Sequence, residues 1–294
     1  MDSLEQLLES VVGRGARVIA EEPVGGGCIH EARRIRTGAG DFFVKSAPES
    51  ARPILEAEAD GLEAIRKTRT VKVPATIALG AAGGRFHLVL EWLDLRPLDA
   101  RSGARLGEEL AALHRAGAGS AGYGWERDNF IGRTPQPNGP MGDWVAFFRE
   151  RRLRHQLRLA GANGHSLPDP APLLEGMGVF FEGGPAVPAA PLHGDLWGGN
   201  AAADGEGRPV LFDPAFYRGD PETDLAFSRF FGGFPAEFHR AYAAAIPPRP
   251  GWKIRQTLYN LYHVLNHLNL FGAGYRAEAC RMIADLNHRA TATR

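Results

Sequence analysis

Cysteine is nearly absent from this 294-residue chain, where Cys28 and Cys280 are the only two. Two thiols cannot build a disulfide framework or a cysteine-based zinc site, so a reducing compartment is the simpler expectation. No stretch approaches the ~18 apolar residues of a membrane span. The acidic start Met1-Asp2-Ser3-Leu4-Glu5 lacks the basic and then apolar order of an export signal. A cytoplasmic protein without a membrane partner is therefore expected. Charge of one sign is missing too: 34 basic and 34 acidic side chains cancel, so no global field draws the chain to nucleic acid. Lysine is scarce, with Lys45, Lys67, Lys72 and Lys253 set against 30 arginines.

Missing motifs exclude further chemistry. No Gly-x-Ser-x-Gly elbow nominates a serine nucleophile. His263 and His267 stand four apart, but no His-Glu-x-x-His pattern or cysteine cluster supports a zinc site. There is no internal repeat, and the Gly/Ala/Pro-rich stretch from Gly161 to Pro191 is expected to loop around or cover short helices. The basic run from Arg149 to Arg158 holds five arginines interleaved with Leu153 and Leu157. That spacing predicts an amphipathic helix with a solvated arginine face.

The length suits about two domains, and 44% hydrophobic residues can build full cores. The most informative segment is His193-Gly194-Asp195-Leu196-Trp197-Gly198-Gly199-Asn200, followed by Leu211-Phe212-Asp213-Pro214. Asn200 stands five positions after Asp195, and Asp213 eighteen. This is the order of a phosphotransfer loop, in which one Asp accepts the proton of the attacking hydroxyl while an Asn and a second Asp hold Mg²⁺ against nucleotide phosphates. Asp195 is thus the candidate base, and Asn200 and Asp213 the candidate metal ligands. The competing reading is a glycine-rich turn beside an unrelated Asp-Pro turn.

Upstream, the chain reads as a strand (Arg17 to Ala20), a glycine loop and an extended segment from Ile29 to Ile35. Gly25, Gly26, Gly27 and Cys28 suit a loop whose N–H groups approach phosphate, although a plain hairpin would look the same. No Gly-Lys-[Ser/Thr] follows, so it is not a Walker loop. Lys45 lies on the strand Asp41 to Ser46, where a compact ammonium can contact the α- and β-phosphates. The helix expected from Ile54 to Lys67 carries Glu56 and Glu58; one should pair with Lys45, and Glu58 is favoured. The apolar strand His87 to Leu90 runs into Glu91-Trp92-Leu93-Asp94, where backbone groups of Glu91 and Leu93 would meet adenine. These assignments place a nucleotide-binding lobe at 1–93 and a catalytic, substrate-binding lobe at 94–294. The second lobe should be mostly helical, with stripes over Arg105 to Arg115 and Thr257 to Phe271. Cys28 is either an inert loop cysteine or a thiol made reactive by neighbouring N–H groups and Lys45. In the second case mild oxidation would lower activity reversibly.

Together these motifs resemble the fructosamine kinase (ketosamine-3-kinase) family, in the aminoglycoside phosphotransferase-like branch of the kinase fold. The likeness rests on Gly25 to Ile29, Phe43-Val44-Lys45, Glu56-Ala57-Glu58, Thr134-Pro135-Gln136-Pro137-Asn138, the segment His193 to Asn200 with Trp197, Asp213-Pro214-Ala215, Asp224-Leu225-Ala226, Phe231-Gly232-Gly233-Phe234 and His267 to Gly272. The resemblance implies an α+β, two-lobed, protein-kinase-like fold with a small antiparallel-sheet lobe. It implies ATP- and Mg²⁺-dependent phosphorylation of the 3-hydroxyl of ketosamines, free or protein-bound, with loss of the unstable adduct. In that picture Trp197 either offers an apolar face to the sugar or is a core residue. The alternatives are a kinase of the same fold acting on an aminoglycoside or choline, and a silent nucleotide-binding protein. Monomer and homodimer are both left open.

Overall fold

The computed structural model describes residues 3–13, 15–25, 31–117 and 122–292. Gly26, Gly27 and Cys28 therefore lie outside the described residues. Helix α1 (Leu4–Val12) begins where the Ser3 hydroxyl accepts the Gln6 N–H at 3.2 Å and ends at Gly13, φ +84°. Strands β1 (Val18–Pro23), β2 (Glu31–Thr37), β3 (Gly40–Pro48), β4 (Thr76–Ala82) and β5 (Arg85–Glu91) form one antiparallel sheet in the order β1-β2-β3-β5-β4. Helix α2 (Arg52–Thr68), opened by Pro53, links β3 to β4. Successive strand residues point to opposite faces. On β3, Phe42 and Val44 join Leu7, Leu8 and Val89 under α1. Phe43 and Ala47 face the other way, onto Leu55, Leu62 and Ile65 of α2. Lys45 sits between them on the α2 side, which is how an ion comes to lie in this layer.

The second lobe is mainly helical. Helix α3 (Ala100–Arg115) starts a turn and a half before its apolar stripe because Asp99 and Ser102 cap each other: Asp99 accepts the Ser102 N–H at 2.7 Å, and Ser102 Oγ accepts the Asp99 N–H at 2.9 Å. Six short strands, β6 (Asn129–Ile131), β7 (Thr134–Gln136), β8 (Ala190–Leu192), β9 (Ala201–Ala203), β10 (Pro209–Leu211) and β11 (Tyr217–Gly219), pair antiparallel as β6–β7, β9–β10 and β8–β11. Around them pack α4 (Trp144–Phe147), α5 (His155–Ala162), α6 (Ala171–Gly176), α7 (Glu222–Ser228), α8 (Ala236–Ala245), α9 (Trp252–Phe271) and α10 (Arg276–Ala292). One core cluster gathers Trp144, Phe147, Tyr217, Tyr259 and Leu265. A second joins Leu106 and Leu110 of α3 to Leu196, Leu211 and the α2 face, and so spans both lobes. No helix among the described residues is long and apolar enough to cross a membrane.

The arginine run departs from the sequence expectation. Residues Phe148–Arg154 form a π-helical stretch between α4 and α5. Arg151, Arg154 and Arg158 are exposed, but Arg152 is fully buried. It follows the core residue Phe148 by four positions and so shares its face. Its guanidinium donates to Pro137 O at 2.6 Å and Asn138 Oδ1 at 2.7 Å, and stacks 4.0 Å from the Tyr217 ring centroid. Arg152→Leu strands these buried acceptors at about 1–3 kcal/mol each. Urea denaturation should therefore show a loss on the order of 3 kcal/mol, whereas exposed Arg154→Leu should stay within about 0.5 kcal/mol of the parent. Equal stability of the two variants would contradict the buried role.

Candidate active site

The inner stripe of α2 places Glu58 opposite Lys45, since Leu55 and Leu62 flank Glu58 at three and four positions. Lys45 Nζ lies 2.8 and 2.9 Å from the two Glu58 carboxylate oxygens and 2.6 Å from Asp213 Oδ1. Glu56, on the outer side, instead accepts from Arg52 Nε at 2.7 Å. Burial opposes the Lys45 charge, but Asp213 and Glu58 outweigh it and hold the ammonium above its ordinary pKa. Burial alone would raise Asp213 as well, and the Lys45 charge overrides it and keeps that carboxyl low. Burial pushes Glu58 up to about 7 against the pull of Lys45. One lysine thus ties a carboxylate of each lobe into a single ion cluster.

The loop after β8 is held by two buried side chains. His193 N–H and Gly194 N–H donate to Asp224 Oδ2 and Oδ1 at 2.8 and 2.9 Å. Asp224 sits in the first turn of α7, and His114 Nε2 lies 3.2 Å from its Oδ2. His193 Nε2–H donates to Phe212 O at 2.9 Å, which leaves Nδ1 to accept the Asp195 N–H at 3.3 Å. Gly194 has φ +83°, and a Cβ there would stand 2.0 Å from Ala215 O. Only glycine fits that turn. The result is a fixed Asp195, whose Oδ2 accepts from Asn200 Nδ2 at 3.2 Å while its carbonyl accepts from the same amide at 2.9 Å. Burial, and then the Asp213 charge, raise Asp195 to about 7, in the range that suits a general base near neutral pH.

Between the lobes lies a cleft of about 660 Å³ that Gly25, Lys45, Leu93, Asp195, Asn200 and Asp213 help to line. The Glu91 N–H donates to Ala75 O at 2.9 Å, and its side chain accepts the Ala75 N–H at 3.2 Å. The Leu93 backbone has no hydrogen-bond partner among the described residues. Trp197 is 39% exposed and meets the edge of Phe231 at a centroid distance of 6.1 Å, so it is not a core tryptophan. Among the described residues no group of three or more His, Cys, Asp or Glu forms a metal cluster. Asn200 and Asp213 nevertheless offer two hard oxygens on the same cleft, because the Asn200 amide nitrogen is committed to Asp195 and its Oδ1 is left as an acceptor. Such a donor set fits Mg²⁺, which takes one or two protein oxygens and completes its shell with phosphates and water.

Sequence reasoning did not find the grip of Asp224 on the loop. The Asp-Leu-Ala stretch was visible, but nothing local says that this aspartate reaches back to residues 193 and 194. The sequence offers His263 only as one half of an unsupported zinc pair. In the fold its Nδ1 lies 4.0 Å from Asp195 Oδ1.

The profile of the fructosamine kinase family matches residues 1–289. A probable ketoamine kinase of Synechocystis is 43% identical over 281 residues, which cover 96% of this chain and 95% of that protein. A protein-ribulosamine 3-kinase of Arabidopsis thaliana is 40% identical, covering 93% and 84%. Among solved structures, a putative fructosamine-3-kinase of Haemophilus somnus superposes with a TM-score of 0.88 at 28% identity over 97% of this chain and 96% of that one. An aminoglycoside phosphotransferase in complex with ADP and hygromycin B shares the fold, with a TM-score of 0.63 at 15% identity, covering 98% and 99%.

Proposed function

The chain belongs to the fructosamine kinase family, and from that premise we propose that it transfers the γ-phosphoryl group of ATP to the 3-hydroxyl of a ketosamine, the sugar adduct of a free or protein-borne amine. The observation that carries this reading is the convergence of Asp195, Asn200 and Asp213 on one cleft with the Lys45–Glu58 pair.

Phosphoryl transfer needs positioning and charge stabilisation more than covalent help. Asp195 orients the acceptor hydroxyl and takes its proton as the oxygen–phosphorus bond forms. Lys45 contacts the α- and β-phosphates, and Glu58 keeps its ammonium aimed into the cleft. Asn200 and Asp213 would hold Mg²⁺, which would supply positive charge against that developing on the phosphates. Gly25, which lines the cleft, opens the glycine stretch that the sequence assigns to the triphosphate, and the chain around Glu91 and Leu93 presents backbone groups to adenine, with the lobes dividing at Leu93. Trp197, exposed at the mouth, offers its face to the sugar ring. Loss of the unstable 3-phosphorylated adduct would free the amine and reverse glycation.

Parallel ATP-consumption assays with a fructosamine, a ribulosamine, kanamycin and choline test the reading. Turnover is expected with one or both ketosamines. Turnover with kanamycin or choline alone, or with none of the four, would overturn it.

A further inference from the structure

His263 is a buried imidazole with no part in the roles above. It lies on the inner side of α9, 4% exposed, with its ring stacked face to face on Phe227 at a centroid distance of 3.6 Å and 5° between the planes. The edge of Tyr262 closes another side at 5.1 Å. Within this cage Nδ1 is buried and has no hydrogen-bond partner among the described residues. Almost every buried polar atom in a native protein is paired, so an orphan calls for a cause. The Asp195 carboxylate stands close by, its Oδ1 4.0 Å from Nδ1. The neighbouring His267 has no such vacancy, since its Nδ1–H donates to the His263 carbonyl at 2.8 Å.

Three features define what this atom can do. The Phe227 stack fixes the imidazole plane, so the direction of Nδ1 is set by packing. Burial drives the His263 pKa well below its ordinary value, with His267 and Arg152 adding to the effect. A neutral imidazole carries one N–H and no net charge. Finally, the gap to Asp195 exceeds a normal hydrogen bond by only about 1 Å. A small rotation of the aspartate closes it, and catalytic hydrogen bonds are often long before substrate binds.

We propose that His263 is a positioning residue for phosphoryl transfer, its Nδ1–H becoming a donor to Asp195 Oδ1 when the cleft is loaded. Asn200 already donates to Oδ2, so the two donors bracket the carboxylate and fix its plane toward the acceptor hydroxyl. The hydroxyl proton goes to Asp195, and His263 keeps its own. A neutral donor suits the task, because an imidazolium at the same place would pull down the basicity that the reaction uses. The inference rests on Asp195 being the base.

Side-chain geometry supplies the test. In His263→Asn the amide N–H falls near the position of Nδ1, whereas His263→Gln places it near Nε2 and His263→Phe keeps the stack but has no donor. With a fructosamine as acceptor, His263→Phe and His263→Gln should lower kcat by about 10-fold to 10²-fold, the scale of misplacing a catalytic group. The KM values for ATP and acceptor should stay within about twofold, and His263→Asn should recover most of the kcat. In an Asp195→Asn background, His263→Phe should have no further effect, because the two residues act as one unit. Wild-type kcat in His263→Phe overturns the proposal, as does equal impairment of folded His263→Asn and His263→Gln. If His263→Phe does not fold, the Asn and Gln pair decides alone; if neither of these folds, His263 is purely structural and the proposal is wrong. An unimpaired Asp195→Asn single variant would instead sink the assignment of the base, which keeps the two failures distinguishable.

Discussion

Asp195→Asn should leave ATP binding intact while turnover falls by about 10²–10⁴, the scale of losing a general base. The substitution is nearly isosteric, and the backbone that holds residue 195 does not depend on its side chain. The loop is fixed by the Asp224 carboxylate on His193 N–H and Gly194 N–H and by His193 on the Asp195 N–H. The Asn200 bond to the residue 195 carbonyl also survives. What disappears is the carboxylate proposed to accept the hydroxyl proton. Calorimetric nucleotide titration and steady-state rates on the same preparation check both halves. Turnover above a tenth of the parent value would remove Asp195 from the role.

Asp213→Asn should weaken both turnover and nucleotide binding when Mg²⁺ is present. Asparagine is the right replacement because Asp213 has φ +56°, a left-handed backbone that Asn accepts and that strains Ala. The amide oxygen can still accept from Lys45, so the ion cluster keeps its shape and loses one negative charge. A bound metal ion supplies several kcal/mol of transition-state charge stabilisation, and losing much of it corresponds to a fall in kcat on the order of 10²–10⁴ at about 1.4 kcal/mol per tenfold. The distinguishing measurement is ATP affinity with Mg²⁺ and with EDTA. The Mg²⁺ titration should weaken by tenfold or more while the metal-free affinity changes little. Unchanged Mg²⁺-ATP binding would show that Asp213 is not a ligand. Asp195→Asn, in contrast, should alter rates far more than binding.

Much of the candidate site was readable because the residues proposed for kinase chemistry stand on short, ordered segments that the fold brings to one cleft. Asp195 and Asn200 belong to one loop, and Asp213 follows directly after the strand that returns from it. Lys45 stood out because the chain otherwise prefers arginine. The sequence favoured Glu58 over Glu56 but left the choice open, and the inner stripe of α2 places Glu58 on the lysine. Element ends were less legible. Helix α3 starts at Ala100 through the Asp99–Ser102 cap, and α9 starts at Trp252 after Gly251 in a left-handed turn. Neither signal is hydrophobic, so an apolar stripe begins too late to reveal it. The burial of Arg152 was illegible because a run of five arginines reads as a solvated face, and only the surrounding rings and carbonyls make one of them an interior residue.

By itself the sequence determined the family and the two-lobed fold, through motifs that resemble the family along the whole chain, and the order of the candidate phosphotransfer groups, because the members of each motif lie within a few residues of one another. Tertiary structure alone decided which distant groups hold that machinery. Asp224 reaches back some 30 positions to grip the loop, Lys45 bridges 168 positions to Asp213, and His263 comes to Asp195 from α9. Contacts over such separations depend on how helices and strands pack, and no local periodicity encodes the direction in which a side chain meets another part of the chain.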